Sequence, residues 1–171
     1  MEAVVRRSLS KKDTGITDID RPTVGPDDVL IRVERAGVCG SDVGAYLGKP
    51  EYDYMPVPSV LGHEFTGTIA KTGSNVATVE PGDRVVLQPG TPCGTCYQCQ
   101  TGEPNNCPEK PPGVAGGGFG AYTVAPVERV LPIPDSVSFT TAAATEPLAV
   151  THRAVVTNGS VSPGDTVLVE G

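Results

Sequence analysis

A mainly β domain of short strands, with a cysteine-rich lobe looping out of it, is the fold predicted by three observations. Glycine (21) and proline (17) are frequent in 171 residues yet below the share that marks disorder, so turns interrupt the chain often. Apolar residues come in short runs, and Val29, Ile31 and Val33 alternate on one face of a half-buried strand. Four of the five cysteines crowd into one stretch from Cys93 to Cys107.

Taken in order, Glu2 to Arg6 predicts a first strand, followed by a polar stretch over residues 7–28 punctuated by Pro22, Gly25 and Pro26. Residues 29–35 form the alternating strand. It runs into Gly37-Val38-Cys39-Gly40-Ser41-Asp42, where Ser41 is expected to cap a short helix starting at Asp42. Residues 48–58 are a loop rich in proline and tyrosine, and Gly62-His63-Glu64 places the histidine at the mouth of the next strand. Pro81-Gly82-Asp83 is a turn before a strand over residues 84–87, and the cysteine lobe spans about 89–112. The glycine run at 116–120 looks like a phosphate loop, but a strand over residues 121–125 follows it where a phosphate loop needs a helix, so it reads as a bend. Residues 129–133 form a further strand. Ser138 opens an alanine-rich helical segment interrupted at Pro147, which starts a second helix reaching about Thr157 with Gly159 just past its end. After the turn at Pro163-Gly164-Asp165, residues 166–170 read as a buried-type strand ending on Gly171.

The totals exclude several functions. No run of 18 apolar residues exists, so no membrane-spanning helix is expected. The start, Met-Glu-Ala-Val-Val-Arg-Arg, lacks the apolar core and cleavage site of a signal peptide. A cytoplasmic, reducing location is therefore expected, in keeping with thiolates held for metal. A net charge of −7 argues against nucleic acid or an anionic membrane surface as partner.

The cysteines read Cys93-x-x-Cys96-x-x-Cys99, then seven residues, then Cys107. Two residues between cysteines let a tight turn aim both thiolates at one point, and the longer gap lets the fourth close a tetrahedron, which is the structural zinc pattern. An iron–sulfur cluster, favoured by Pro108 after the fourth cysteine, and a pair of disulfides are the alternatives. Zinc explains all three spacings at once. Cys39 is left over. A single thiolate beside a Gly-His-Glu motif is a candidate for a catalytic zinc with three protein ligands and an open position, supplied by Cys39, His63 and one of the acids Glu64 and Glu146. The plainer readings are a small buried cysteine and a structural histidine.

Together these motifs make the sequence resemble the zinc-dependent medium-chain dehydrogenase/reductase (alcohol dehydrogenase) family, on its sorbitol, threonine and butanediol dehydrogenase side. The residues that carry the resemblance are Gly37 to Asp42, Gly62-His63-Glu64-Phe65-Thr66-Gly67, Pro81 to Val85, the four-cysteine lobe and Glu146-Pro147-Leu148-Ala149. The resemblance implies a GroES-like β-barrel catalytic domain over residues 1–148. Residues 149–171 would be a connecting helix and the first strand of a truncated Rossmann cofactor domain, with Gly171 as the first glycine of its dinucleotide turn. It also implies Cys39 and His63 as catalytic zinc ligands, Glu146 where classical relatives have a third ligand cysteine, Glu64 as a residue supporting the ligands or an exchanging ligand that can swap duties with Glu146, and Ser41 as the hydroxyl that bonds the substrate oxygen and relays its proton. Two departures stand out. Gly44 occupies a position where related enzymes carry a histidine, so a proton relay through that side chain is missing, and His152 has no family role and reads as a helix-surface or packing residue. Tyr46 reads equally as a pocket-lining or a packing residue.

The implied reaction is hydride transfer between an alcohol or polyol and NAD or NADP, with a Lewis-acidic zinc lowering the alcohol's pKa. One zinc would be catalytic and one structural. No complete dinucleotide-binding motif is present, so the chain is expected to be inactive alone, to expose apolar surface and to self-associate through its last strand. The competing reading is a stand-alone zinc-binding or regulatory module of the same fold. The identity of the alcohol, the choice of NAD or NADP and the formation of a homo-oligomer stay open at this level.

Overall fold

A computed structural model describes residues 1–90, 92–109 and 116–170. Among these residues eight strands form two antiparallel sheets. The smaller has the order β2-β1-β4, with β1 at Glu2–Arg6, β2 at Thr14–Asp18 and β4 at Ser59–Val60. The larger has the order β7-β3-β5-β6-β8, with β3 at Asp28–Ala36, β5 at Phe65–Thr72, β6 at Arg84–Leu87, β7 at Tyr122–Pro126 and β8 at Val130–Pro132.

The alternation of the sequence builds the core directly. Val29 and Ile31 of β3, Phe65 and Ile69 of β5, Val85 and Leu87 of β6, Ala125 and Val130 all bury on one face of the larger sheet, with Val33 packed against them. Register brings them side by side: Val29 lies opposite Ala125, Ile31 opposite Ile69 and Leu87 opposite Val130. Each large aliphatic side chain removed from water contributes about 1.5–3 kcal/mol. A satellite cluster of Ala45, Met55 and Leu61, with Tyr52 and Phe119 against it, lies apart from this core.

Among the described residues four short α-helices decorate the sheets: α1 at Gly40–Tyr46, α2 at Tyr97–Gln100 in the cysteine lobe, α3 at Phe139–Ala142 and α4 at Thr145–His152. Ser138 caps α3, its hydroxyl accepting the Thr141 N–H at 3.1 Å. Thr66 of β5 donates to the Phe139 carbonyl at 3.1 Å, tying α3 to the larger sheet. Arg84 holds the approach to α3. It donates to the carbonyls of Pro134 (3.1 Å) and Val137 (2.6 Å) and stacks over the Phe139 ring at 4.5 Å.

The structure corrects several expectations. The polar stretch after β1 contains β2, which forms because Ile16 and its neighbours pair with β1 across a turn, although Ile16 itself stays exposed. Helix α1 begins at Gly40, so Cys39 holds the cap position and Ser41 lies inside the first turn. Pro147 is the third residue of α4, a place its missing N–H still tolerates. The helix closes at His152 and continues as a wider π-type turn over Arg153–Asn158 before Gly159. Residues 166–170 form no strand, and Val167, Leu168 and Val169 are exposed. A β-strand needs a neighbour to satisfy its backbone groups, and among the described residues none pairs with this run. Gly171 and the end of the lobe at 110–112 lie outside the described residues. Among the described residues no helix is long and apolar enough to cross a membrane.

Candidate metal centre

The antiparallel pairing of β3 and β5 brings the first site together. Ala36 at the end of β3 lies opposite Phe65 at the start of β5, and the ladder extends by one bond, Gly37 N–H to the Glu64 carbonyl at 2.7 Å. The two chain segments leaving this edge carry Cys39 on one side and His63-Glu64 on the other. One ligand atom from each of Cys39, His63 and Glu64 falls within 4.8 Å of the others. Glu64 is buried and Cys39 is half-buried. Soft thiolate, imidazole and carboxylate on one point are a donor set suited to zinc with a position left open.

Two glycines make the approach possible. A Cβ on Gly37 would collide with the Glu64 carboxylate. Gly62 adopts φ +89°, and a side chain there would meet the Phe119 ring at 2.7 Å. The glycine run at 116–120 serves the same segment: Gly118 and Phe119 donate backbone bonds to the Gly62 and Leu61 carbonyls, both at 3.0 Å, and β7 follows. It is a bend before a strand, as the sequence implied, and it also supports the segment leading to the histidine.

Asp42 was seen in the sequence only as a helix residue. It is buried, and its carboxylate accepts the Cys39 N–H at 3.0 Å and the Gly62 N–H at 3.2 Å, with His63 Nδ1 3.8 Å away. It therefore ties both ligand-bearing segments to each other. Its position at the third residue of a helix, three after the cap, is a recognisable capping-box spacing. That spacing identifies the cap bond but not the second, long-range one.

Glu146 lies in the first turn of α4 and outside the cluster of three. Burial pushes its carboxyl above the ordinary range, the His63 charge pulls it down, and Glu64 pushes it up again. The three groups thus share one electrostatic environment. Glu146 also lines a cleft of about 330 Å³ with Val86, Leu87, Pro89, Val150 and Arg153. Ser41 is half-buried on α1, Tyr46 is exposed, and His152 is exposed at the end of α4 as a helix-surface residue.

The second site is the lobe. Sulfur–sulfur separations are 3.5 Å for Cys96–Cys99, 3.8 Å for Cys96–Cys107 and 3.9 Å for Cys93–Cys99. A tetrahedron with zinc–sulfur bonds of 2.3 Å has an edge of about 3.8 Å. All five cysteines are free of disulfides. A multi-iron cluster would interpose several atoms and spread the sulfurs further apart. Hydrogen bonds from Thr95 and the Cys96 N–H pull the Cys93 thiol down to about 6, while burial and the neighbouring sulfurs push Cys99 up to about 12. Four thiols packed this closely cannot all ionise unless a cation offsets their charge, which is what a zinc ion supplies.

Comparison with known proteins agrees with this geometry. The alcohol dehydrogenase GroES-like domain model matches residues 25–135. Sorbitol dehydrogenase of Bacillus subtilis is 37% identical over 178 aligned positions, covering 100% of this chain and 49% of the relative. The crystal structure of the rspB short chain alcohol dehydrogenase of E. coli CFT073, complexed with NADH, superposes with TM-score 0.85 at 33% identity, over 97% of this chain and 48% of that one. The cobalt- and zinc-bound thermostable alcohol dehydrogenase of Pyrobaculum aerophilum superposes with TM-score 0.83 at 30% identity, over 96% and 50%. The chain thus spans about half the length of the relatives it matches. With the two strand-built sheets, the protruding four-cysteine lobe and the matched family model in agreement, the chain belongs to the alcohol dehydrogenase GroES-like domain family.

Proposed function

We propose that this chain is the catalytic domain of a zinc-dependent oxidoreductase that transfers hydride between the CH–OH group of an alcohol or polyol and NAD or NADP. The observation that carries the reading is the meeting of Cys39, His63 and Glu64 within 4.8 Å, in the electrostatic range of Glu146. Cys39, His63 and Glu64 would hold the catalytic zinc, and Glu146 would be the acid able to take Glu64's place in that set. Cys93, Cys96, Cys99 and Cys107 hold the structural zinc. When bound, the catalytic zinc supplies the Lewis acidity that lowers the pKa of the alcohol.

The chain's own residues do the rest. Asp42 fixes the spacing of the ligand segments, and Ser41 accepts the proton leaving the alcohol and passes it outward. The nicotinamide is held by the part of the relatives' length that this chain does not span, with the border placed at 148/149 inside α4. The chain alone is therefore inactive. Two thiolate sites suit a reducing compartment, which supports a cytoplasmic location.

Zinc content per chain, measured on wild type and Cys39→Ser, tests the sites. Two zincs falling to one support both; one zinc in each variant overturns the catalytic site and leaves the lobe. Hydride transfer on adding a matching cofactor domain then tests the activity, and two zincs without turnover would favour a zinc-binding module of the same fold.

A further inference from the structure

Arg6, on β1, is fully buried. Its Nη1 donates to the Tyr52 carbonyl at 2.9 Å, and its Nη2 lies 3.5 Å from Asp53 Oδ1. Nε and Nη2 have no hydrogen-bond partner among the described residues. Taking a guanidinium out of water with donors left unpaired costs free energy that an aliphatic side chain would avoid. The polar contacts of its side chain among the described residues fall on one short segment, the single turn Pro50–Tyr52 and the Asp53 that follows it.

That segment packs against residues that follow Cys39 and precede His63 in the chain. The Tyr52 ring lies on Gly44 of α1, where any Cβ would overlap it. Tyr52 also packs against the satellite cluster of Ala45, Met55 and Leu61. Ala45 belongs to α1, which starts directly after Cys39, and Leu61 stands two residues before His63. The cluster thus joins α1, which follows Cys39, to the residues before His63, and Arg6 grips the Tyr52 that packs on it.

We propose that Arg6 is a positioning residue for the catalytic metal: by anchoring Tyr52 and Asp53 it sets the spacing between Cys39 and His63. The inference rests on the reading of Cys39, His63 and Glu64 as metal ligands. An aliphatic residue would pack in the same space but could not grip the Tyr52 carbonyl, and a lysine would grip it with a single head group.

The test uses this chain loaded with Co²⁺ in place of zinc. The visible spectrum that disappears in Cys39→Ser reports the catalytic site, and the remainder reports the four-cysteine site. In Arg6→Met the four-cysteine spectrum stays, the Cys39-dependent bands shift, and competition with a metal-binding dye shows the second Co²⁺ bound at least tenfold more weakly. Arg6→Lys recovers part of both changes. Unchanged Cys39-dependent bands with an affinity within twofold of wild type overturn the proposal. Where Arg6→Met does not fold, Tyr52→Ala decides: a fivefold weaker second Co²⁺ with the four-cysteine site intact supports it, and an unchanged affinity overturns it. A wild-type chain without any Cys39-dependent spectrum overturns the metal reading itself, and this inference with it.

Discussion

The carboxylate of Asp42 accepts the N–H of Gly62 at 3.2 Å across 20 residues of sequence, while its other oxygen accepts the N–H of Cys39 at 3.0 Å. One buried acid therefore joins the segments that carry two proposed zinc ligands. Replacing it with asparagine turns one acceptor into a donor facing an N–H. Asp42→Asn is expected to lose about 1–3 kcal/mol in urea unfolding, and to bind the second zinc more weakly while keeping the lobe zinc. Unfolding curves and zinc content on the same preparation check both parts.

Gly37 meets Glu64 at the other side of the site, and a methyl group there has no room beside the carboxylate. Gly37→Ala pushes Glu64 away from Cys39 and His63. Overpacking of this kind costs about 1–3 kcal/mol, and the second zinc is expected to fall away together with the stability. A Gly37→Ala chain holding two zincs at wild-type stability would show that Glu64 is free to move.

The described part of the lobe carries little secondary structure, and the Glu103–Arg153 ion pair at 3.6 Å ties it to the segment after α4. Its secondary structure is the four-residue α2 and one three-residue turn at Pro104–Asn106, and of its four cysteines only Cys107 is buried. Metal binding supplies the folding free energy of such a segment. Chelation is expected to open the chain to chymotrypsin at Tyr97, which is already 77% exposed, and zinc readdition to close it. Cys96→Ser is expected to behave like the chelated wild type.

Asp13 tests the electrostatics of the turn between β1 and β2. The hydroxyl of Ser8, at 2.6 Å, is the main cause that holds its carboxyl below the ordinary value of 3.8; desolvation, the next largest, opposes it, and Arg7 adds to the lowering. A carboxyl depressed in the folded state adds stability above its unfolded pKa, and that contribution is lost as pH falls through the lower, folded value. NMR titration is expected to place the Asp13 midpoint below 3.8 and to find it raised in Ser8→Ala.

Much of the larger sheet was legible because alternation and burial agree: Val29, Ile31 and Val85 sit in the core where their spacing puts them. Strand β2 was not, since Thr14–Asp18 pairs through its backbone and contributes little apolar surface. The apolar run at 166–170 misled in the opposite direction, with the pattern of a strand but no neighbour to pair with. The buried guanidinium of Arg6 carried no signal at all, because a lone arginine in a strand reads as a solvated charge.

By itself the sequence determined the alternation that makes the strands, the cysteine spacing that aims four sulfurs at one point, and the pool of Cys39, His63, Glu64 and Glu146. These are local properties, set by residue type and short separation. Only the tertiary structure decided that Glu64 joins Cys39 and His63 while Glu146 stands outside at the cleft. It also decided that Asp42 links both segments. Those outcomes depend on the register of β3 against β5 and on where α4 packs, and a register is settled by the summed burial and hydrogen bonding of whole strands rather than by any residue within them.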